Sequence, residues 1–222
     1  MKFTIMGTVS QVLNIQLAPG DVLKTASGRL VGRSFAVDTK ARDGTILSGI
    51  KRMLSDTSVE MEEYYIEKGA GMVTVGPAFP GMIMDIDVSK GNWVVQKCGL
   101  LACTHGVSVA HEAQKHICPS KFGPEGLVLL RLSGEGTAFI ASCGDFTAME
   151  LRPDDRYTVA TAHALAWESS VKASVHSVRN RADEDAEDDE YITDFKGPGR
   201  IVIQNLCEGD IASAVVRFAG GN

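Results

Sequence analysis

The feature that most constrains this 222-residue chain is a recurrence: a Gly-x-Gly pair followed by an apolar, strand-like run appears three times, as GAGMVTV from Gly69, GEGTAFIA from Gly134 and GPGRIVIQ from Gly197. The marks stand 65 and 63 residues apart. Self-similarity at a fixed period implies units that bury their faces against one another. Between the marks, the stretches 82–102 and 147–166 keep step, each an apolar strand, a Gly- or Asp-bearing turn and a second strand ending in Leu-Ala. The same strand-turn-strand outline recurs at 13–31 and 201–218.

Period-two alternation argues for strands over helices. Met82, Met84, Ile86 and Val88 fall on one face with Asp85 and Asp87 on the other, and Val171, Ala173 and Val175 oppose Lys172, Ser174 and His176. Such strands predict antiparallel sheets with one dry and one wetter face. Pro19-Gly20-Asp21, Lys90-Gly91-Asn92, Pro153-Asp154-Asp155 and Glu208-Gly209-Asp210 supply turns, because Pro presets φ and Gly or Asn tolerates positive φ. Hairpins at this spacing predict a sandwich or rolled barrel. One segment breaks the rhythm: Ile46, Ile50, Met53 and Leu54 recur at helical spacing, predicting a short amphipathic helix that covers a sheet end.

Composition narrows the class. With 44% hydrophobic and 23% charged residues the chain has the balance of a folded globular protein. Seven of its 28 acidic residues lie between Asp183 and Glu190, and with those set aside 21 acids face 22 bases. The negative charge is thus local, predicting a solvated acidic loop over 181–191 and giving no basic footprint for nucleic acid. Five cysteines, an odd number, and an N-terminus without a signal-like apolar region fit a reducing, cytoplasmic compartment. No apolar run reaches the ~18 residues of a transmembrane segment.

The order PGD, G-x-G, Phe79-Pro80-Gly81, Gln96-Lys97, Gly126-Leu127, Arg131-Leu132, Gly134-x-Gly136 and Gly197-Pro198-Gly199-Arg200 resembles the AIM24 family over residues 17–206. The resemblance implies a fold similar to that of the tryptophan RNA-binding attenuation protein, a sandwich of the double-stranded β-helix type, and a homo-oligomer. Eukaryotic members are linked to mitochondrial inner-membrane organisation, but this chain shows no presequence. The family supplies no catalytic residues to carry over, and the acidic run stands where its members have a Gly-rich stretch.

Each candidate chemistry has a plainer counterpart. A phosphate cradle needs a helix after its glycines, and here strands follow, so the Gly-x-Gly pairs read as turns. No G-x-S-x-G elbow marks a nucleophilic serine. The cupin pattern of His-x-His with a carboxylate is absent. The run from 98 to 118 offers soft ligands in Cys98, Cys103, His105, His111, His116 and Cys118. Residues two apart on a strand share a face, so Cys103 with His105 and His116 with Cys118 would form a Cys₂His₂ set if two strands paired in register. The intervening 107–110 run reads as a strand, which places one pair out of reach, so no metal is expected. The acidic loop lacks the D-x-D-x-D-G spacing of a calcium site. RNA binding by fold analogy would need a basic groove with stacked aromatics, whereas Trp93, Tyr157 and Trp167 read as packing residues.

The sequence therefore predicts one all-β domain over 1–222, an internally repeated antiparallel β-sandwich with repeats at about 69–133, 134–196 and 197–222. Its expected role is that of a non-enzymatic scaffold or interaction module. It associates with itself, as a trimer, and admits a protein partner, with no cofactor, catalytic residue or metal assigned. The alternatives are a metal-dependent enzyme or sensor built on 98–118, and nucleic-acid binding.

Overall fold

The computed structural model describes residues 1–40, 59, 61–115, 119–122, 124–178 and 190–219. The expected helix over 44–56 lies outside these residues, as does the acidic stretch 181–189, while Glu190 and Tyr191 begin a strand. The first strands are β1 (Lys2–Met6), β2 (Val12–Leu17), β3 (Val22–Ala26), β4 (Leu30–Arg33), β5 (Asp38–Lys40), β6 (Met61–Tyr65) and β7 (Gly71–Val75). Then come β8 (Ile83–Asp87), β9 (Trp93–Gln96), β10 (Leu100–Thr104), β11 (Val107–Lys115), β12 (Leu127–Gly134) and β13 (Thr137–Ala141). The last are β14 (Phe146–Leu151), β15 (Arg156–Ala160), β16 (Ala164–Glu168), β17 (Lys172–Val178), β18 (Glu190–Lys196) and β19 (Gly199–Gln204). Two α-helices, α1 (Pro119–Phe122) and α2 (Glu208–Ala219), complete the described elements together with three short 3-10 turns.

The chain is all-β, and every strand pair is antiparallel. The described strands form four sheets, in the orders β1-β2-β7-β4, β5-β6-β3-β10-β13-β8, β11-β12-β9-β16-β19-β14 and β15-β18-β17. One pairing scheme runs through three successive blocks, beginning at β2, β8 and β14. In each, the first strand pairs with the sixth, the second with the fifth, the third with the sixth and the fourth with the fifth. The Gly-x-Gly marks sit in the turn between the fifth and sixth strands. Gly134 there has φ +97, and a Cβ on it would lie 2.5 Å from the Gly106 carbonyl oxygen, so the turn admits no side chain.

The turns after the first strands also repeat. Asp21 donates its N–H to the Ala18 carbonyl while its carboxylate accepts from the Ala18 N–H, and Asp155 does the same with Arg152. These turns were expected to close hairpins. They are arches instead: β2 and β3 lie in different sheets, as do β8 and β9, and β14 and β15. Each arch carries the chain from one layer of a sandwich to the next.

Three cores fill the spaces between successive sheets. Leu13, Ile15 and Val73 of the first sheet meet Leu23, Tyr64 and Phe139 of the second. Ile86, Leu100 and Ile140 of the second meet Val95, Leu130 and Leu132 of the third. Val94, Leu129 and Trp167 of the third meet Val159 and Phe195 of the fourth, with the Trp167 and Phe195 rings edge-on at 5.2 Å. The second and third sheets are therefore covered on both faces. That explains why β9 and β10 are almost continuously apolar, where one wet face was expected.

Two local expectations fail. The 201–218 stretch does not return as a strand: β19 lies between β16 and β14, so both of its edges are taken, and the chain leaves as α2. Glu208 and Asp210 in the first turn of that helix and Arg217 in the last suit its dipole, while Val215 and Val216 gave the segment its strand-like look. Tyr157, read as a packing residue, is 41% exposed, because the strand that carries it has no neighbour on one side among the described residues. Trp93 and Trp167 are buried as expected.

Candidate functional site

The corners that link second to third strands gather at one end of the molecule around a cavity of about 550 Å³, within the usual range for small-molecule sites. Arg29 comes from the first block, Gln96, Lys97 and Cys98 from the second, and Ala162 from the third, with Cys207 and Glu208 at the start of α2. Met61, Leu100, Phe122, Leu127 and Leu130 supply its apolar lining.

Two buried glutamines hold these corners. Gln96 Nε2 donates to the carbonyls of Thr161 and Ala164 at 2.9 and 2.8 Å. Gln204 Nε2 donates to Ala162 O at 3.1 Å, and its Oε1 accepts from the Cys143 N–H at 2.9 Å. Since a buried amide without partners is costly, each is placed where backbone groups of a non-strand corner need an answer. The Thr161 hydroxyl joins this network through Thr193 at 3.0 Å.

The charges at the cavity mouth are largely matched. Lys97 pairs with Glu125 at 2.6 Å, holding that carboxyl below its ordinary range, and Lys121 pairs with Asp210 with the same effect. Burial pushes the Glu208 carboxyl up, and the Arg29 charge opposes this. Burial also pushes the Cys98 thiol up to about 12, with the Glu208 charge adding to it, and the Cys207 thiol up to about 11. These thiols are moved away from the thiolate form that nucleophilic catalysis requires.

Of the sequence-predicted ligands, Cys103 and His105 are not brought together. Cys103 is buried in the core between the second and third sheets, whereas His105 is exposed in the turn after β10. Cys98 and His111 both line the cavity; His116 and Cys118 lie outside the described residues. A different trio comes together: ligand atoms of His163, Cys207 and Asp210 lie within 4.8 Å of one another. His163 Nδ1 is 2.8 Å from Gln204 O, and the Cys207 thiol donates to Asp210 Oδ2 at 3.0 Å. Soft and hard donors of this kind suit zinc; here burial raises the Cys207 thiol, so that zinc would have to displace a tightly held proton, and Asp210 is engaged by Lys121. The only sequence trace of this trio is the Cys207–Asp210 spacing, which places the two on one helical face once 208–219 is read as a helix.

The family model described as mitochondrial biogenesis AIM24 matches residues 3–206. An uncharacterized protein of Streptococcus pyogenes serotype M6 is 23% identical over 227 residues, covering 98% of this chain and 91% of the relative. The crystal structure of a protein from Streptococcus pyogenes aligns with a TM-score of 0.82 at 21% identity, covering 98% of this chain and 99% of that one. That likeness concerns the fold. No described helix is long and apolar enough to cross a membrane.

Proposed function

We propose that this chain, which belongs to the AIM24 family, works as a non-enzymatic scaffold that associates with itself, as a trimer, in a reducing, cytoplasm-like compartment. One observation carries the reading. The first sheet ends at β4 and the fourth at β15, with no further strand beside either among the described residues, and both edges expose apolar side chains in Leu30, Val31 and Tyr157. An unprotected strand edge with apolar residues is a template for another strand. The raised thiols of the cavity support a non-catalytic role, and the four described cysteines are all free, as a reducing compartment keeps them.

Static light scattering at micromolar concentration tests the reading. The expected mass is three times the 23.7 kDa of one chain. A single-chain mass across that range would overturn self-association, and a different multiple would overturn the trimer alone.

A further inference from the structure

Blocks are joined to one another in a fixed way. The second strand of the first block, β3, pairs with the third strand of the second block, β10, placing Thr25 opposite Ala102 and Lys24 opposite Cys103. The second strand of the second block, β9, pairs with the third strand of the third block, β16, placing Val95 opposite Ala166 and Val94 opposite Trp167. The two strands left over are β15, the second strand of the third block, and β4, the third strand of the first.

These leftover edges retain the features of a join. The third strand of every block carries a bulge at the same place, between Leu30 and Gly32 in β4, Leu100 and Ala102 in β10, and Ala164 and Ala166 in β16. Residues within these bulges are therefore equivalent, yet Leu101 and Leu165 are 1% exposed while Val31 is 63% exposed. Gly32 stands where Ala102 and Ala166 make their joins, and a Cβ on it would meet nothing within 4 Å. On β15, Tyr157 lies opposite Phe195 of β18 as Leu23 lies opposite Tyr64 of β6. Leu23 is fully buried and Tyr157 is not. The residues left open at both edges are thus the counterparts of those that an interior join covers.

Resting on the self-association argued above, we propose that β15 of one copy pairs antiparallel with β4 of the next, in the register of the interior joins: Val159 opposite Gly32 and Thr158 opposite Arg33. The fourth sheet of one copy and the first sheet of the next then become one continuous sheet, built in the order of the two interior six-stranded sheets. Such a contact is head-to-tail, so it repeats from copy to copy until a ring closes.

Cross-linking between two differently substituted chains tests the register. Arg33→Cys in one chain and Thr158→Cys in the other place thiols at directly opposed positions, within the reach of a disulfide. Both sites are exposed in the single chain, so each variant is expected to keep the wild-type circular dichroism spectrum. On mild oxidation of the mixture, the peptide linking 33 to 158 should form at least tenfold faster than the 30-to-158 link in a Leu30→Cys control. In parallel, Val31→Glu should weaken association at least tenfold while leaving the spectrum unchanged. An oligomeric wild type without the 33-to-158 link would overturn this register and leave self-association standing. A monomeric wild type would overturn both. A third sample, one chain carrying both Arg33→Cys and Thr158→Cys and oxidised at a dilution where it is a single chain, covers the remaining case: a link formed there but not in the mixture would show the edges meeting within one molecule, and would also overturn the proposal.

Discussion

Leu101, Leu165 and Val31 occupy equivalent bulge positions, so truncating each to alanine isolates the effect of what covers them. Leu→Ala removes three carbons, about 2.4 kcal/mol of transfer free energy at ~0.8 per carbon, and the cavity left behind raises the expected cost to about 3–5 kcal/mol. Leu101 and Leu165, both 1% exposed, should show that full cost. Val31→Ala removes two carbons from a side chain on a residue that is 63% exposed; scaling for the buried third or so leaves about 0.6 kcal/mol. The assay is urea unfolding, compared at constant slope, at concentrations where light scattering gives the mass of one chain. If Val31→Ala costs the isolated chain more than about 2 kcal/mol, as a buried side chain would, then β4 is covered within the chain and its reading as an open edge is refuted.

Two further outcomes follow from the cavity. Glu208 has a folded-state pKa raised by burial above its ordinary 4.5, so its protonated form contributes stability that is complete below about pH 4.5 and is lost as pH rises through the raised value. Glu208→Gln should therefore raise the unfolding midpoint at neutral pH and leave it unchanged in acid, and a pH-independent difference would refute the burial argument. Protein purified without chelator or nickel should contain well under one zinc per chain, because the Cys207 thiol is raised to about 11 and Lys121 occupies Asp210; stoichiometric zinc lost on Cys207→Ser would show the trio to be a metal site.

The Gly-x-Gly turns, the Pro-x-Asp turns and the alternation of β8 were legible because each depends on local chemistry: a positive φ, a side chain closing its own turn, a strand wet on one face; that the Pro-x-Asp turns pass between sheets instead of closing hairpins was not, because it depends on which distant strands pair. The apolar runs of β9, β10 and β12 carry no such period, since cores press on them from both sides. The 3-10 turns at Lys97–Gly99 and Thr161–His163 split what read as single strands. The cavity was hidden for a different reason. Gln96 reaches groups 65 and 68 residues away, and His163 finds Cys207 and Asp210 only through a helix that the valines of 208–219 disguised as a strand. The exposure of Tyr157 depends on which strand edge the fold leaves uncovered, and neighbouring residues carry no trace of that.

Sheets that seal two cores at once make the three blocks inseparable parts. Leu100 and Cys103 of β10 face the core between the second and third sheets, while Leu101 and Ala102 face the core between the first and second. Loss of β10 would therefore open two interiors together, and melting that begins in one block has no internal boundary at which to stop. Separating the chain at the connector 142–145 would strip β16 from β9 and leave the apolar row of Trp93, Val94 and Val95 facing water, so the first two blocks are not expected to persist as a smaller folded piece. Proteolysis of the native chain should accordingly trim its ends and loops and then pass directly to fragments, with no stable two-block product between.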